Sequence, residues 1–320
     1  MNVVVVPSNR PHQLDAWWKA WEEVADWDAL VVVEDAPSVS SVKIPSAVRL
    51  CWKDIDGHPI GSLISRQDAA IRSFGYSEAA KMGARYIGTM DDDCLPHDLS
   101  WFGSHLHAMR ISRWTSPAGI PARGVPFRNC GQGASALNMG LWHHVADWSA
   151  VHQLAQEQQH FTPPDKTAII PAGQYFPMSG MNLVFHRDLL PLMLHPPMGR
   201  GELYRRFDDI WAGIIAKKVC DACGVLVTAG RPGVWHARAS DAIQNLVAEA
   251  PGIARNETFW QSVDEVAVNP PPQGWERSLR VAEAATELGR GLAASDDEYI
   301  ARVGRNLIRW VGFLFAENGG

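Results

Sequence analysis

Tyr86-Ile87-Gly88-Thr89-Met90-Asp91-Asp92-Asp93-Cys94 is the stretch on which the fold turns. Residues 86–90 form a short, mostly apolar run of the kind that fills a buried parallel strand, and three carboxylates arrive where that strand must end. Carboxylates this close raise one another's pKa unless positive charge lies between them, and a hard divalent cation with oxygen ligands supplies such charge. In open α/β sheets, ligands bind beyond the carboxyl ends of the strands. The stretch therefore predicts an acidic strand end that holds Mg or Mn and, through the metal, a phosphate or diphosphate. The competing reading is a solvated acidic turn.

Upstream, the β-branched run Val3 to Val6 reads as a buried first strand that ends at Pro7-Ser8-Asn9-Arg10. Leu14, Trp17, Trp18, Trp21, Val24 and Ala25 recur at helical spacing, which predicts a helix over 14–27 packed back on the sheet. Leu30 to Val33 reads as a second buried strand, and the carboxylates beyond it, Glu34 and Asp35, suit a ribose or base. No Gly-x-Gly-x-x-Gly turn follows the first strand, which argues against a dinucleotide cofactor. A third strand is expected over 48–52, then a polar, Gly-containing loop over 54–61, then a helix over 66–82. On that helix Asp68 and Arg72 stand four residues apart, the spacing of a surface salt bridge.

Downstream, a helix is expected over 96–109, with His97, His105 and His107 at the surface. Residues 113–140 are irregular and rich in proline and glycine, and loops of this length in compact domains are commonly lids or binding loops. Gly140-Leu141-Trp142 reads as the lead into a helix ending near Gln159, with His143 and His144 structural or exposed. Residues 169–182 bring a strand into a Gly-containing turn, which suits backbone packed close to a ligand or a turn the fold demands. Asp208-Asp209 open a helix, where carboxylates favour the exposed amides. Val225 to Val227 reads as a late strand, followed by Val234-Trp235-His236-Ala237-Arg238. Residues 278–315 read as helical with a break near 294–296, where Ser295 or Asp296 is a suitable cap. The stripe Ile300, Val303, Leu307, Trp310 and Leu314 is core or a subunit contact. Asn269-Pro270-Pro271-Pro272 is a linker. It divides a catalytic domain over 1–268 from a helical C-terminal extension over 269–320.

The 320 residues suffice for a large core, and 46% apolar with 20% charged residues is a globular composition. A formal charge of −6, from 29 basic and 35 acidic residues, leaves no broad cationic surface for nucleic acid or anionic membrane. The N-terminus has no signal-peptide pattern and no run approaches the roughly 18 apolar residues of a membrane span, so a soluble, cytoplasmic protein is expected. Five cysteines, an odd number, fit reduced thiols. Cys220-Asp-Ala-Cys223 has redox or zinc spacing, but it stands alone in an apparent helix and reads as buried and reduced.

Six motifs occur in order: Asp68-Ala-Ala-Ile-Arg72-Ser-Phe-Gly-Tyr76, Tyr86 to Cys94, Arg123-Gly-Val-Pro-Phe127, Gly140-Leu-Trp142, Phe176-Pro-Met-Ser-Gly-Met-Asn182, and Asp208-Asp-Ile-Trp-Ala-Gly213 through Trp235-His236. Together they resemble the reversibly glycosylated polypeptide family, the UDP-arabinopyranose mutases of glycosyltransferase family 75. The resemblance implies a GT-A fold, an α/β architecture with a mixed, mostly parallel sheet flanked by helices. It also implies a UDP-sugar substrate and Mn or Mg, with Asp91, Asp93 and His236 as metal ligands; imidazole can join carboxylates on Mn. Nucleotide-sugar contacts are implied at Pro7, Asn9, Arg10, Glu34, Asp35, Asp54, Asp68, Arg72, Asp91, Asp92, Gly140, Trp142, Ser179, Gly180, Asn182, Trp211 and Arg238.

In the family an arginine carries the sugar reversibly, and the matching residue is Arg123. A guanidinium is a poor nucleophile because it is delocalised and protonated, so a carboxylate must assist it. Asp208 or Asp209 would stabilise the oxocarbenium-like centre or orient sugar hydroxyls. Three features depart from the family: a shorter loop between Asp93 and Arg123, Cys130 in place of a second arginine with Arg128 two positions earlier, and Ser179 in place of a cysteine. The function expected is pyranose-to-furanose interconversion of a UDP-sugar. The alternatives are a glycosyltransferase acting on an external acceptor (a glycan, a small molecule or a hydroxylated nucleobase) and an inactive nucleotide-sugar-binding subunit. Assembly into a homo-oligomer is left open.

Overall fold

The computed structural model describes residues 1–112, 123–124, 132–155, 160–237, 241–269 and 271–317. The valine run forms β1 (Asn2–Ser8), buried from Val3 onward. It is followed by α1 (Leu14–Trp21), β2 (Ala29–Glu34), β3 (Ala47–Leu50), α2 (Trp52–Asp56), α3 (Ile71–Lys81), β4 (Tyr86–Met90), β5 (Cys94–Leu95) and α4 (Trp101–Ala108). A separate two-stranded ribbon pairs β6 (Arg110–Ser112) with β7 (Gln132–Ala134). The chain continues through β8 (Leu137–His144), α5 (Ala150–Ala155), β9 (Ala168–Ile169), β10 (Asn182–His186), α6 (Asp208–Ala222) and β11 (Val227–His236). Three helices close it: α7 (Ala242–Glu265), α8 (Arg277–Ala293) and α9 (Glu298–Glu317).

Among the described residues the main sheet has nine strands in the order β3-β2-β1-β4-β10-β8-β11-β5, with β9 paired to β11. The pairings make β1, β2, β3, β4, β8 and β11 run one way, while β5, β9 and β10 run against them. The sheet is therefore mixed and mostly parallel, as expected of a GT-A fold. Its consequence is that the carboxyl ends of six strands gather along one edge, joined by the amino end of β10.

Successive strand residues point to opposite faces, and β4 shows which helix covers which face. A side chain at Gly88 would meet the Trp101 ring of α4 at 2.9 Å. The next residue, Thr89, lies beside Arg72 of α3, with 3.4 Å between Oγ1 and Nη1. Helices α3 and α4 thus sandwich the sheet. On the α4 face, Trp17, Trp21, Trp27 and Trp101 form an aromatic cluster, and Trp21 Nε1 donates to the Cys94 carbonyl at 2.9 Å, fixing α1 to the end of the acidic turn.

Several local expectations are revised. Helix α1 stops at Trp21 rather than 27. The first residues of the segment expected as loop belong to α2, and α3 begins at Ile71 rather than 66. Gly140-Leu141-Trp142 is the middle of a strand, because β8 is enclosed between β10 and β11 and its hydrogen bonds are satisfied there. His105 is fully buried between Asn138 and Asn182, 2.8 Å from each, and burial holds its pKa down at about 3.

The C-terminal helices share the hydrophobic core of the rest of the chain. The α9 stripe of Ile300, Val303, Leu307, Trp310 and Leu314 is buried within this chain, and Trp310 Nε1 donates to the Leu190 carbonyl at 2.9 Å. Its N-terminal cap is Asp297, which accepts from the Tyr299 and Ile300 amides, and not Ser295 or Asp296. Tyr299 packs on Tyr204 and on Trp211 of α6, at 4.8 and 5.8 Å between ring centroids. Cys51, Cys94, Cys220 and Cys223 are buried free thiols, as expected. Among the described residues no helix is long and apolar enough to cross a membrane.

Candidate active site

The three aspartates after β4 part ways, and this lets them stand side by side. Asp92 turns toward β1, where its carboxylate accepts from Ser8 Oγ at 2.6 Å and from the Arg10 guanidinium. Burial pushes Asp92 up, while the hydrogen bonds from Ser8 and Arg10 pull it back. Arg10 also donates to Asp93 Oδ2 at 2.9 Å. Asp91 turns the other way and accepts from Arg72 Nη2 at 2.7 Å.

Arg72 is the hub of the site. It is 2% exposed, and its remaining donors reach the Ala69 carbonyl (3.0 Å) and the Gly180 carbonyl. Burial alone would lower its pKa, but Asp91 and the neighbouring Asp209 and Asp208 raise it, so the guanidinium stays charged. Gly180 is a glycine for lack of space, since a Cβ there would sit 2.2 Å from Arg72 Nη1. The other side of the same turn meets α6, where the Gly180 amide donates to Asp209 Oδ2 at 2.9 Å. The acidic turn, the 179–182 turn and the start of α6 are thereby linked through one buried cation.

Further carboxylates surround that cation. Asp209 is raised to about 6, by burial first and then by the charge of Asp147, against the Gly180 amide and Arg72. Asp208 is 3% exposed, is pushed well above the usual range by burial and by Asp209, and its Oδ2 has no partner among the described residues. Asp68 is raised to about 7, mainly by burial, although Ser65 Oγ (2.6 Å) and the Ala70 amide (3.1 Å) donate to it. The expected Asp68–Arg72 surface pair does not form. Asp68 precedes the helix, and Arg72 points inward to Asp91.

Asp147, three residues past β8, was not singled out from the sequence, yet it belongs to this cluster. It accepts from Ser179 Oγ at 2.8 Å, and burial pushes it up. The signal was its place beyond the carboxyl end of a parallel strand, which the helical reading of residues 143–159 concealed.

On the outer side of the triplet, Asp93 Oδ1 is buried without a partner among the described residues and lies 4.0 Å from His236 Nε2. His236 Nδ1 is 2.8 Å from the Val145 carbonyl. A carbonyl only accepts, so Nδ1 carries a proton, and Nε2 is the ring nitrogen turned toward Asp93. A hard oxygen and an imidazole nitrogen so arranged suit two positions in the ligand set of a divalent cation. Asp91 is engaged by Arg72, and among the described residues no group of three or more His, Cys, Asp or Glu is gathered closely enough to hold a metal.

Several residues implied as ligand contacts are occupied elsewhere. Glu34 accepts from Arg49 Nε (2.9 Å) and the Ser40 amide (2.8 Å), beneath the surface. Asp35 accepts from Trp52 Nε1 at 2.6 Å and the Gln67 amide at 3.1 Å. Asp54 caps α2 through the Cys51 amide. Asn182 is fully buried, accepting from Trp101 Nε1 and donating to the carbonyls of Leu141 and Pro232, and Gly140 leaves the room it needs. Trp211 is core, stacked on Phe259 at 4.3 Å. Pro7 and Trp142 are buried in β1 and β8, and Asn9 is exposed beside Arg10. Arg123 lies on an exposed turn with Gly124 at φ +98. Arg128, Cys130 and Arg238 lie outside the described residues.

The family model described as reversibly glycosylated polypeptide matches residues 114–317. The chain belongs to the reversibly glycosylated polypeptide family. Among curated members of that family, potato probable UDP-arabinopyranose mutase 1 is 31% identical over 96% of this chain and 88% of its own length. Maize probable UDP-arabinopyranose mutase 1 is 34% identical over 81% and 74%, and Arabidopsis thaliana UDP-arabinopyranose mutase 1 is 30% identical over 96% and 90%. Among solved structures, a mycobacterial protein superposes with a TM-score of 0.46 at 12% identity, covering 82% of this chain and 75% of that one. The reversibly glycosylated polypeptide match covers the C-terminal helices, and the 96% coverage by the potato and Arabidopsis relatives takes in the acidic turn as well.

Proposed function

We propose that this protein is a UDP-sugar mutase that interconverts the pyranose and furanose forms of a sugar such as arabinose, with a divalent metal and a transient arginine-bound sugar. The observation that carries the reading is the buried Arg72, which ties Asp91 of the acidic turn to Gly180 and Asp209. It sets carboxylates for the sugar beside the strand end that suits a diphosphate. The 30–34% identity to proteins named UDP-arabinopyranose mutases supports the choice of reaction.

Asp93 and His236 would hold the cation, Mn or Mg. When bound, the cation supplies a Lewis acid that offsets the charge gathering on the departing diphosphate. Arg10, anchored on Asp92 and Asp93, adds fixed positive charge on the same side. Asp209, partly exposed at the start of α6, faces the developing positive charge on the sugar. Arg123 receives the anomeric carbon, and C1 returns to the diphosphate oxygen of UDP after a different sugar oxygen has closed the ring on it. The protein acts without crossing a membrane, in the cytoplasm.

Incubation with Mn and UDP-arabinopyranose, followed by chromatography, tests the reading. A furanose isomer and a protein-bound sugar that disappears in Arg123→Ala are expected. UDP release that depends on an added acceptor, with no furanose, would replace the mutase by a transferase. Tight UDP-sugar binding without turnover would make the chain a binding subunit.

A further inference from the structure

Ser179 and Gly180 are consecutive residues of one turn, and each holds a different carboxylate. Ser179 Oγ donates to Asp147 Oδ2 at 2.8 Å, and the Gly180 amide donates to Asp209 Oδ2 at 2.9 Å. Asp147 arrives from the end of β8 and Asp209 from the start of α6, so residues 62 positions apart in sequence meet at one clamp. Both remain partly accessible. Asp147 is the neighbouring charge that most strongly raises Asp209. Charge on Asp147 therefore disfavours charge on Asp209, and the two carboxylates are held by adjacent residues of one turn. Next to Asp209 in sequence, the buried Asp208 Oδ2 has no partner among the described residues.

Ring interconversion has a requirement that transfer to an acceptor lacks. Two hydroxyl oxygens of one sugar must exchange roles, one taking a proton as the other gives one up. A transferase needs a single base for its acceptor. We propose that Asp147 and Asp209 form a carboxyl pair that relays one proton between the ring oxygen and the 4-hydroxyl of the bound sugar, with Ser179 as the positioning residue for Asp147. This rests on the mutase reading above.

With C1 bonded to the carrier nitrogen, the C1–O5 bond breaks and its electron pair goes to O5, which takes the proton of the Asp209 carboxyl. The nitrogen lone pair forms a C1=N bond. O4 then attacks C1, its proton passes to the Asp147 carboxylate, and the C=N pair returns to nitrogen. One proton has moved from O4 to O5, and one carboxyl has replaced the other as the acid. Passage of that proton back to Asp209 resets the pair.

The test uses full-length protein with Mn and labelled UDP-arabinopyranose, reading protein-bound sugar and ring interconversion separately. In Asp147→Asn, bound sugar is expected within threefold of wild type, while interconversion falls at least tenfold, toward the roughly 10²–10⁴-fold range of a lost acid–base group. Asp147→Glu, which keeps an acid, recovers part of that loss. An interconversion rate within tenfold of wild type overturns the relay, as does a parallel loss of labelling and interconversion. If Asp147→Asn fails to fold by circular dichroism, Ser179→Ala is read by the same split. Wild-type protein that shows neither label nor furanose overturns the mutase reading itself, an outcome distinct from failure in the variants alone.

Discussion

Arg72 Nη2 and Asp91 Oδ1 are joined across 2.7 Å, and this ion pair, buried on the arginine side and half-buried on the aspartate side, fastens helix α3 to the acidic turn after β4. The same guanidinium also donates to the Gly180 carbonyl, so its loss would strand a carboxylate and a backbone acceptor together. Arg72→Met is expected to lower stability by about 1–3 kcal/mol, the range for leaving a buried acceptor such as the Gly180 carbonyl unsatisfied, since the half-buried Asp91 can turn to water. Urea denaturation of variant and wild type checks it, and a loss below about 1 kcal/mol would show that the pair is not what holds the turn.

Gly180→Ala addresses the same joint from the other side. The added methyl must displace the Arg72 guanidinium, which Asp91 holds in place, or move the turn. A loss of about 1–3 kcal/mol is expected for such overpacking. Weaker UDP-sugar affinity should accompany it, because Asp209 hangs on the Gly180 amide. Thermal melts and calorimetric titration measure the two effects separately.

Asp209 gives a pH signature. Its pKa in the folded protein is about 6, raised first by burial, against roughly 3.9 for a free aspartate. The folded state thus binds the proton more tightly than the unfolded chain. Stability from this group is present below about pH 4 and is lost as pH rises through about 6. Asp209→Asn mimics the protonated carboxyl and escapes that loss. The stability of the variant relative to wild type is expected to climb between about pH 4 and 6 and then level off. Denaturation at a series of pH values reads the difference, and a flat difference would place Asp209 in an ordinary environment.

Metal binding is tested at His236. If Nε2 joins Asp93 on the cation, His236→Ala should reduce the Mn-dependent gain in UDP affinity by tenfold or more while leaving metal-free UDP affinity nearly unchanged. Isothermal titration with and without Mn distinguishes the two. An unchanged Mn titration would take His236 out of the site.

The acidic turn was legible because an apolar run ending in charge is a local pattern, and the valine strands on either side of α1 were legible for the same reason. Arg72 was misread because spacing along a helix sees only neighbours four residues away, while its partner Asp91 comes from the strand beneath. Asp147 was hidden by the histidines and tryptophans around it, which resemble a helix face until β8 is known to lie between two strands. Helix α7 went unread, since Pro251 stands inside it and its apolar residues form no clean stripe. Trp211 and Asn182 stand within motifs shared with the family, and motif membership alone does not separate a residue that meets a ligand from one that fills the core behind it.

The packing of Tyr299 against Trp211 makes the tail of the chain a keystone for its chemistry. Trp211 sits two residues after Asp209 on α6, and the aromatic face bracing it comes from the start of the last helix. Shortening the protein before that helix would therefore loosen the start of α6 that carries Asp209, from some ninety positions away in sequence. Natural exchange of such a tail between relatives would have to carry its tyrosine along or repack α6.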